Sequence, residues 1–238
     1  MSEPSSIEQA RARVAALGEW ITGFSYQGQM LGGKYPAEID PRVLLFIDRL
    51  RALPHETILE CGCLEGGHTT MLARAFPKST IHAVDVRPEN LQKAQLLAEL
   101  RECTNIQFLK DDLDTPKVIF NRTYDAIFCV GLLYHLRWPD RFLSQCAAAA
   151  PVLWLWTVYC AEKDAKVREG DFRGRLYKEP VAHPLSGVRD ESFFPTLGSL
   201  SDMIWAAGYK KIELIESHPN SDTGGPAILL CASRDAKP

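Results

Sequence analysis

Ile58-Leu59-Glu60-Cys61-Gly62-Cys63-Leu64-Glu65-Gly66-Gly67 is the stretch that decides how this chain reads. An apolar run from Thr57 to Leu59 enters the acidic Glu60, glycines follow at 62, 66 and 67, and a helix-forming stretch runs from His68 to Ala75. The order is strand, tight glycine turn, helix, which lets a backbone approach a nucleotide closely. The glycines at 62 and 66 give G-x-x-x-G. A dinucleotide fingerprint needs glycine at 64, where this chain has Leu64, so the spacing disfavours a nicotinamide-dependent oxidoreductase. The acid at the strand end suits a ligand carrying positive charge.

Outward from this turn, strands and helices alternate. Strands are expected at 57–61, 80–85, 105–110, 124–130 and 151–157, with helices at 68–75, 88–102, near 115–120, and at 139–149. A helix at 197–207 precedes strands at 210–216 and 226–232, which are joined only by residues 218–225. This predicts an α/β fold: a Rossmann-like, seven-stranded, mostly parallel sheet with helices on both faces and a terminal antiparallel hairpin. Before it, Ser5-Ser6 caps a helix from Ile7 to about Leu17, and Asp40-Pro41 starts a second helix. Residues 18–39 read as a structured loop or lid, and 158–195 as a long irregular insertion. The expected organisation is an N-terminal helical cap and lid, 1–53, and a catalytic domain, 54–238, with an acceptor-binding insertion at 158–195.

Ligands of open α/β sheets lie beyond the carboxyl ends of the strands. The first end offers Glu60, Gly62, Cys63 and Gly66. The second offers Asp85 and Val86, with Asp85 23 residues after Gly62, where a carboxylate accepts from both ribose hydroxyls. The third offers Asp111, Asp112 and Leu113, a carboxylate for an adenine amine and an apolar cover for the ring. The fourth offers Val130 and Gly131.

The glycine turn resembles the first motif, [DE]-x-G-x-x-x-G, of the class I S-adenosylmethionine (SAM)-dependent methyltransferases. Tyr124-Asp-Ala-Ile-Phe-Cys-Val-Gly-Leu-Leu-Tyr-His-Leu136 with Pro139, and Phe194-Pro-Thr196 with Leu200, Ile204 and Ala207-Gly-Tyr209, resemble a subset of them. That subset includes the transfer-RNA wobble-uridine carboxymethyltransferases and many small-molecule methyltransferases. The resemblance, over about residues 20–235, implies SAM as cofactor and the strand-end residues above as its contacts.

For the acceptor, Tyr134 and His135 follow the fourth strand, and His135 titrates in the range of a general base. Trp20, Tyr26 and Tyr35 in the lid, with Trp156, Tyr159, Arg175, Tyr177 and His183, are the candidate acceptor contacts. The expected function is methyl transfer to a small molecule. The alternatives are an RNA-modifying methyl or carboxymethyl transferase of the same fold, and a catalytically silent SAM-binding regulator.

Composition bounds these readings. The 238 residues are 46% hydrophobic and 24% charged, with formal net charge −3, which suits a globular core and gives no general pull toward nucleic acid. The seven cysteines include no C-x-x-C, and several sit in apolar runs. Free thiols in a reducing cytosol are expected, and no metal site. No apolar run reaches 18 residues and the N-terminus shows no signal pattern, so a cytoplasmic protein is expected.

Overall fold

The computed structural model describes residues 6–220 and 224–234; Ser5 and residues 221–223 of the last inter-strand link lie outside them. The chain divides after Lys110 into two compact units.

In the first unit, α1 (Ile7–Ala16) begins with a reciprocal cap between Ser6 and Gln9. It buries Ala10 and Val14 in a cluster with Trp20, Phe24, Tyr26, Leu31, Leu96, Leu97 and Leu100. Residues 18–39 are not the irregular lid expected. They form a three-stranded sheet of β1 (Thr22–Tyr26), β2 (Gln29–Gly32) and β3 (Tyr35–Pro36), in the order β2-β1-β3. Tyr26 pairs with Gln29 across a two-residue loop, Gln27-Gly28, whose φ values are +47° and +76°. Positive φ at both positions is the type I′ turn, whose twist matches that of the strands it joins. Trp20 and Tyr26, which suggested a lid, are core together with Phe24, while Tyr35 is exposed, and the N-terminal segment is mixed α and β rather than purely helical. Next, α2 (Pro41–Leu50) starts on an Asp40 cap with proline in its first turn, and buries Val43, Phe46, Ile47 and Leu50.

Three parallel strands follow, β4 (Thr57–Cys61), β5 (Thr80–Asp85) and β6 (Ile106–Lys110). They alternate with α3 (Gly67–Ala75) and α4 (Pro88–Leu100).

The second unit continues with β7 (Ala126–Val130), α5 (Pro139–Ala149) and β8 (Val152–Val158), and β7 and β8 are parallel. Between β6 and β7 only a 3-10 turn, Ile119–Asn121, stands where a short helix was expected. The stretch 158–195 is likewise not irregular. It contains β9 (Val167–Glu169), β10 (Phe172–Lys178) and β11 (Glu191–Pro195), an antiparallel sheet in the order β11-β10-β9. Charged residues stand on both faces of β10, Arg173 and Arg175 on one and Lys178 on the other, which masks strand periodicity in the sequence. Then come α6 (Leu197–Ala207), β12 (Lys211–His218) and β13 (Ala227–Ser233).

The seven-stranded sheet has the order β12-β13-β8-β7-β4-β5-β6. The terminal hairpin forms as expected, with β12 at the edge and β13 inserted between β12 and β8, antiparallel to both. Among the described residues no helix is long and apolar enough to cross a membrane.

Candidate active site

The glycine turn is held in three left-handed positions, Gly62 (φ +77°), Leu64 (φ +49°) and Gly66 (φ +78°). Gly66 has a second reason to be glycine: a Cβ there would lie 2.8 Å from the Ala94 Cβ and 2.9 Å from its Cα. Leu64 is the exception. A left-handed non-glycine residue costs about 1–2 kcal/mol, and the Leu64 N–H is fixed there by donating to Asp85 Oδ2 at 2.9 Å. Behind the turn, the buried Glu65 accepts from the Ile21 and Thr22 backbone N–H groups at 2.8 and 2.6 Å, and from Lys93 Nζ at 2.8 Å. Glu65 therefore ties the turn to β1 and α4. Sequence reasoning passed over it, because its backbone partners lie 43 and 44 residues away.

Two buried carboxyls line this turn. Glu60 is 2% exposed and accepts from Thr69 Oγ1 at 2.5 Å. Burial pushes its pKa up to about 8, the Thr69 bond opposes the rise, and the charge of Asp85 adds to it. Asp85 is pushed up by burial, against bonds from the Arg87 N–H, the Asn90 amide and the Leu64 N–H. Its Oδ1 takes two of these bonds and its Oδ2 one, which leaves Oδ2 capacity for a hydroxyl donor. The Cys63 thiol is raised by burial and by the same two carboxyls, and stays neutral. Two acids that gain from an added donor or cation, beside a turn with left-handed glycines at 62 and 66, fit a cationic nucleoside.

In the second unit the two adjacent aspartates divide their work. Asp111 accepts from the backbone N–H groups of Asp112, Lys117, Val118 and Ile119, so it shapes its own loop. Asp112 accepts from the Thr115 hydroxyl and, at 3.0 Å, from Arg189 Nη2. The buried Asp114 accepts from the Arg137 and Trp138 N–H groups and from Arg189 Nε, and the Arg189 guanidinium lies 5.0 Å over the Trp138 ring. Leu113 is buried. At the end of β7, buried Val130 precedes Gly131, at φ +83°.

His135 sits in the 3-10 turn Leu133–His135. Its Nδ1 lies 3.1 and 3.2 Å from the two carboxylate oxygens of Glu179. Glu179 also accepts from Ser192 Oγ at 2.8 Å and from the Gly187 N–H at 3.1 Å. Burial alone would raise this carboxyl; the bonds from His135, Ser192 and Gly187 hold it below the ordinary range. Beside His135, the Tyr134 ring lies 4.2 Å from the imidazole, 5.9 Å from Trp156 and 6.0 Å from Phe194. Tyr177 stacks on Phe194 at 5.1 Å, and the Arg175 guanidinium covers Phe194 at 4.8 Å. Tyr134, His135, Trp156, Arg175 and Tyr177 are thus brought together around Phe194, which sequence reasoning did not single out as an acceptor contact.

Trp20 and Tyr26 are buried in the α1 cluster, and Trp20 Nε1 donates to the Val14 carbonyl. Tyr35 is 61% exposed. Tyr159 donates its backbone N–H to Pro226, and His183 Nδ1 accepts from the Leu185 N–H. Among the described residues no cluster of metal-ligating side chains occurs.

Residues 58–150 match the family model of a methyltransferase domain. The N-terminal domain of EvdMO1, solved with S-adenosylhomocysteine (SAH) bound, superposes with a TM-score of 0.85 at 24% identity, covering 98% of this chain and 99% of that one. The full EvdMO1 structure has a TM-score of 0.72 at 24% identity, and the 98% of this chain that is matched spans 49% of it. Magnesium protoporphyrin IX methyltransferase from Synechocystis PCC 6803, with bound SAM, matches at 15% identity and TM-score 0.55, over 99% of this chain and 87% of that one. At these identities the likeness is one of fold. No curated protein matches the chain. The match places a methyltransferase domain at residues 58–150, and the likeness to the solved structures is one of an α/β, Rossmann-like fold.

Proposed function

We propose that this chain transfers a methyl group from SAM to a small, hydroxyl-bearing molecule. The observation that carries the reading is the pair of buried carboxyls, Glu60 and Asp85, set around a left-handed glycine turn. Asp85 Oδ2 accepts from the ribose, and the backbone at Gly62, Cys63 and Gly66 lines the path of the amino-acid portion. Glu60 supplies negative potential for its positive charge. When bound, SAM supplies an electrophilic methyl carbon on a sulfonium. The protein needs no strong electrophile of its own, and its work is positioning and proton removal. The aromatic group around Phe194, with the Arg175 guanidinium, forms the acceptor wall. A small polyhydroxy acceptor is supported by the EvdMO1 N-terminal domain, solved in the presence of SAH and D-fucose.

The test is calorimetric titration with SAH. The unaltered chain is expected to bind it, and Asp85→Ala to lose about 1.5–3 kcal/mol, the scale of lost charge-assisted hydrogen bonds. Unchanged affinity removes Asp85 from the ribose role. Binding of SAH without methylation of any hydroxyl-bearing acceptor points instead to a silent SAM-binding protein.

A further inference from the structure

We infer that Glu179 is the positioning residue that makes His135 Nε2 the proton acceptor of the transfer, so that the methylated atom is a hydroxyl oxygen or an amine nitrogen that gives up a proton. The inference rests on the methyl-transfer reading above and assigns its acceptor chemistry.

Three observations carry it. First, Glu179 is 5% exposed and its carboxylate is held from several sides, by Ser192 Oγ, the Gly187 N–H and His135 Nδ1. A carboxylate so held only accepts, so Nδ1 carries the hydrogen and Nε2 the lone pair. Second, Nε2 has no hydrogen-bond partner among the described residues, so its lone pair is open to a ligand. Third, the pair is rigidly built. The Phe193 N–H donates to the Leu136 carbonyl at 3.0 Å, pinning β11 to the turn that bears His135. A Cβ at Gly187 would lie 2.8 Å from the His135 carbonyl oxygen, so that loop closes directly over the same turn. Along β10, Arg175 and Tyr177 share one face, and Glu179 follows the strand's last residue, its N–H donating to the Asp190 carbonyl at 2.8 Å. Tyr134, 4.2 Å from the His135 ring and 6.0 Å from Phe194, joins the pair to the acceptor wall.

In the step, the acceptor oxygen uses a lone pair to form the new O–C bond, the C–S bonding pair departs with sulfur, and the hydroxyl proton passes to His135 Nε2. The resulting imidazolium faces the Glu179 carboxylate until its proton leaves to water. Glu179 is the charged group in hydrogen-bond contact with His135, and Tyr134 is the other titratable side chain against its ring.

Long-range proton–nitrogen NMR on the full chain, labelled at histidine nitrogen, reads the tautomer directly. The His135 signals are assigned by their loss in His135→Gln. The Nδ1–H tautomer is expected in the unaltered protein without ligand, and a His135 titration that moves to lower pH in Glu179→Gln and recovers in Glu179→Asp. With D-fucose as probe acceptor, Glu179→Gln should lower turnover by about 10²-fold and leave SAH affinity unchanged. An Nε2–H tautomer overturns the inference, as does a titration indifferent to Glu179→Gln. The unaltered protein settles the tautomer even where that variant misfolds or D-fucose is not turned over. An Nε2–H tautomer with intact SAH binding defeats this inference alone, whereas absence of SAH binding defeats the methyl-transfer reading.

Discussion

Glu60 in the first unit and Glu179 in the second are both buried glutamates beside candidate chemistry, yet their charge is driven in opposite directions. Glu60 has a neutral hydroxyl for a partner and a second carboxyl nearby, and burial wins: its pKa rises to about 8. Glu179 is buried too, but an imidazole, a hydroxyl and a backbone N–H overcome the cost of desolvation, and its pKa falls. The difference shows that burial alone does not set the state of an acid; the partner does. It also separates two tasks. Glu60 is an acid whose charge awaits a cation, and Glu179 is a settled anion that orients a base.

The sharpest way to break the comparison is at His135. Replacing it with alanine should lower turnover by about 10²–10⁴-fold while SAH affinity stays intact, as measured by SAH release beside calorimetry. Parallel loss of SAH affinity would make His135 structural and leave Glu179 without a task.

The second test addresses Glu60 through pH. An acid with a raised folded-state pKa holds its proton in the folded chain after the unfolded chain has released it. Its contribution is fully present below the ordinary value of 4.5 and is lost as pH rises through about 8. Stability should therefore fall across that window, by up to about 1.4 kcal/mol per pH unit. Glu60→Gln should flatten that slope in urea melts at successive pH values. An identical slope in the variant would mean that Glu60 ionises normally and that the contrast with Glu179 is false.

The smallest effect is expected at the N-terminal sheet. Phe24 and Tyr26 anchor it in the core, so limited proteolysis should leave 22–36 uncut with or without SAH. Cleavage there that SAH suppresses would restore the lid that the sequence suggested.

Much of the sheet was legible because its signals are local. Asp40 before Pro41, the glycines at 62 and 66, and the alternation of apolar strands with helices each depend on residues a few positions apart. The two small sheets were not legible, for different reasons. In 18–39 the hairpin turns on Gln27-Gly28, which lacks the usual Asn-Gly signature, and the aromatic residues resemble a binding loop until the α1 cluster claims them. In 158–195 charged residues fall on both faces of β10, which conceals the period of two, so Arg175 and Tyr177 could not be seen as neighbours on one face.

By itself, the sequence determined the strand–turn–helix at 57–75 and the placement of Glu60, Asp85, Asp112 and His135 at or just after strand ends. Left-handed φ, helix caps and strand alternation are properties of adjacent residues, and adjacent residues are what a sequence displays. Only the tertiary structure decided what those side chains are. Thr69 lies nine residues from Glu60, and Glu179 lies 44 residues from His135. Asp112 meets Arg189 across 77 residues, and Glu65 meets β1 across 43. Charge state, tautomer and orientation follow from whichever donors the fold brings within about 3 Å, and that distance is fixed by packing rather than by spacing along the chain.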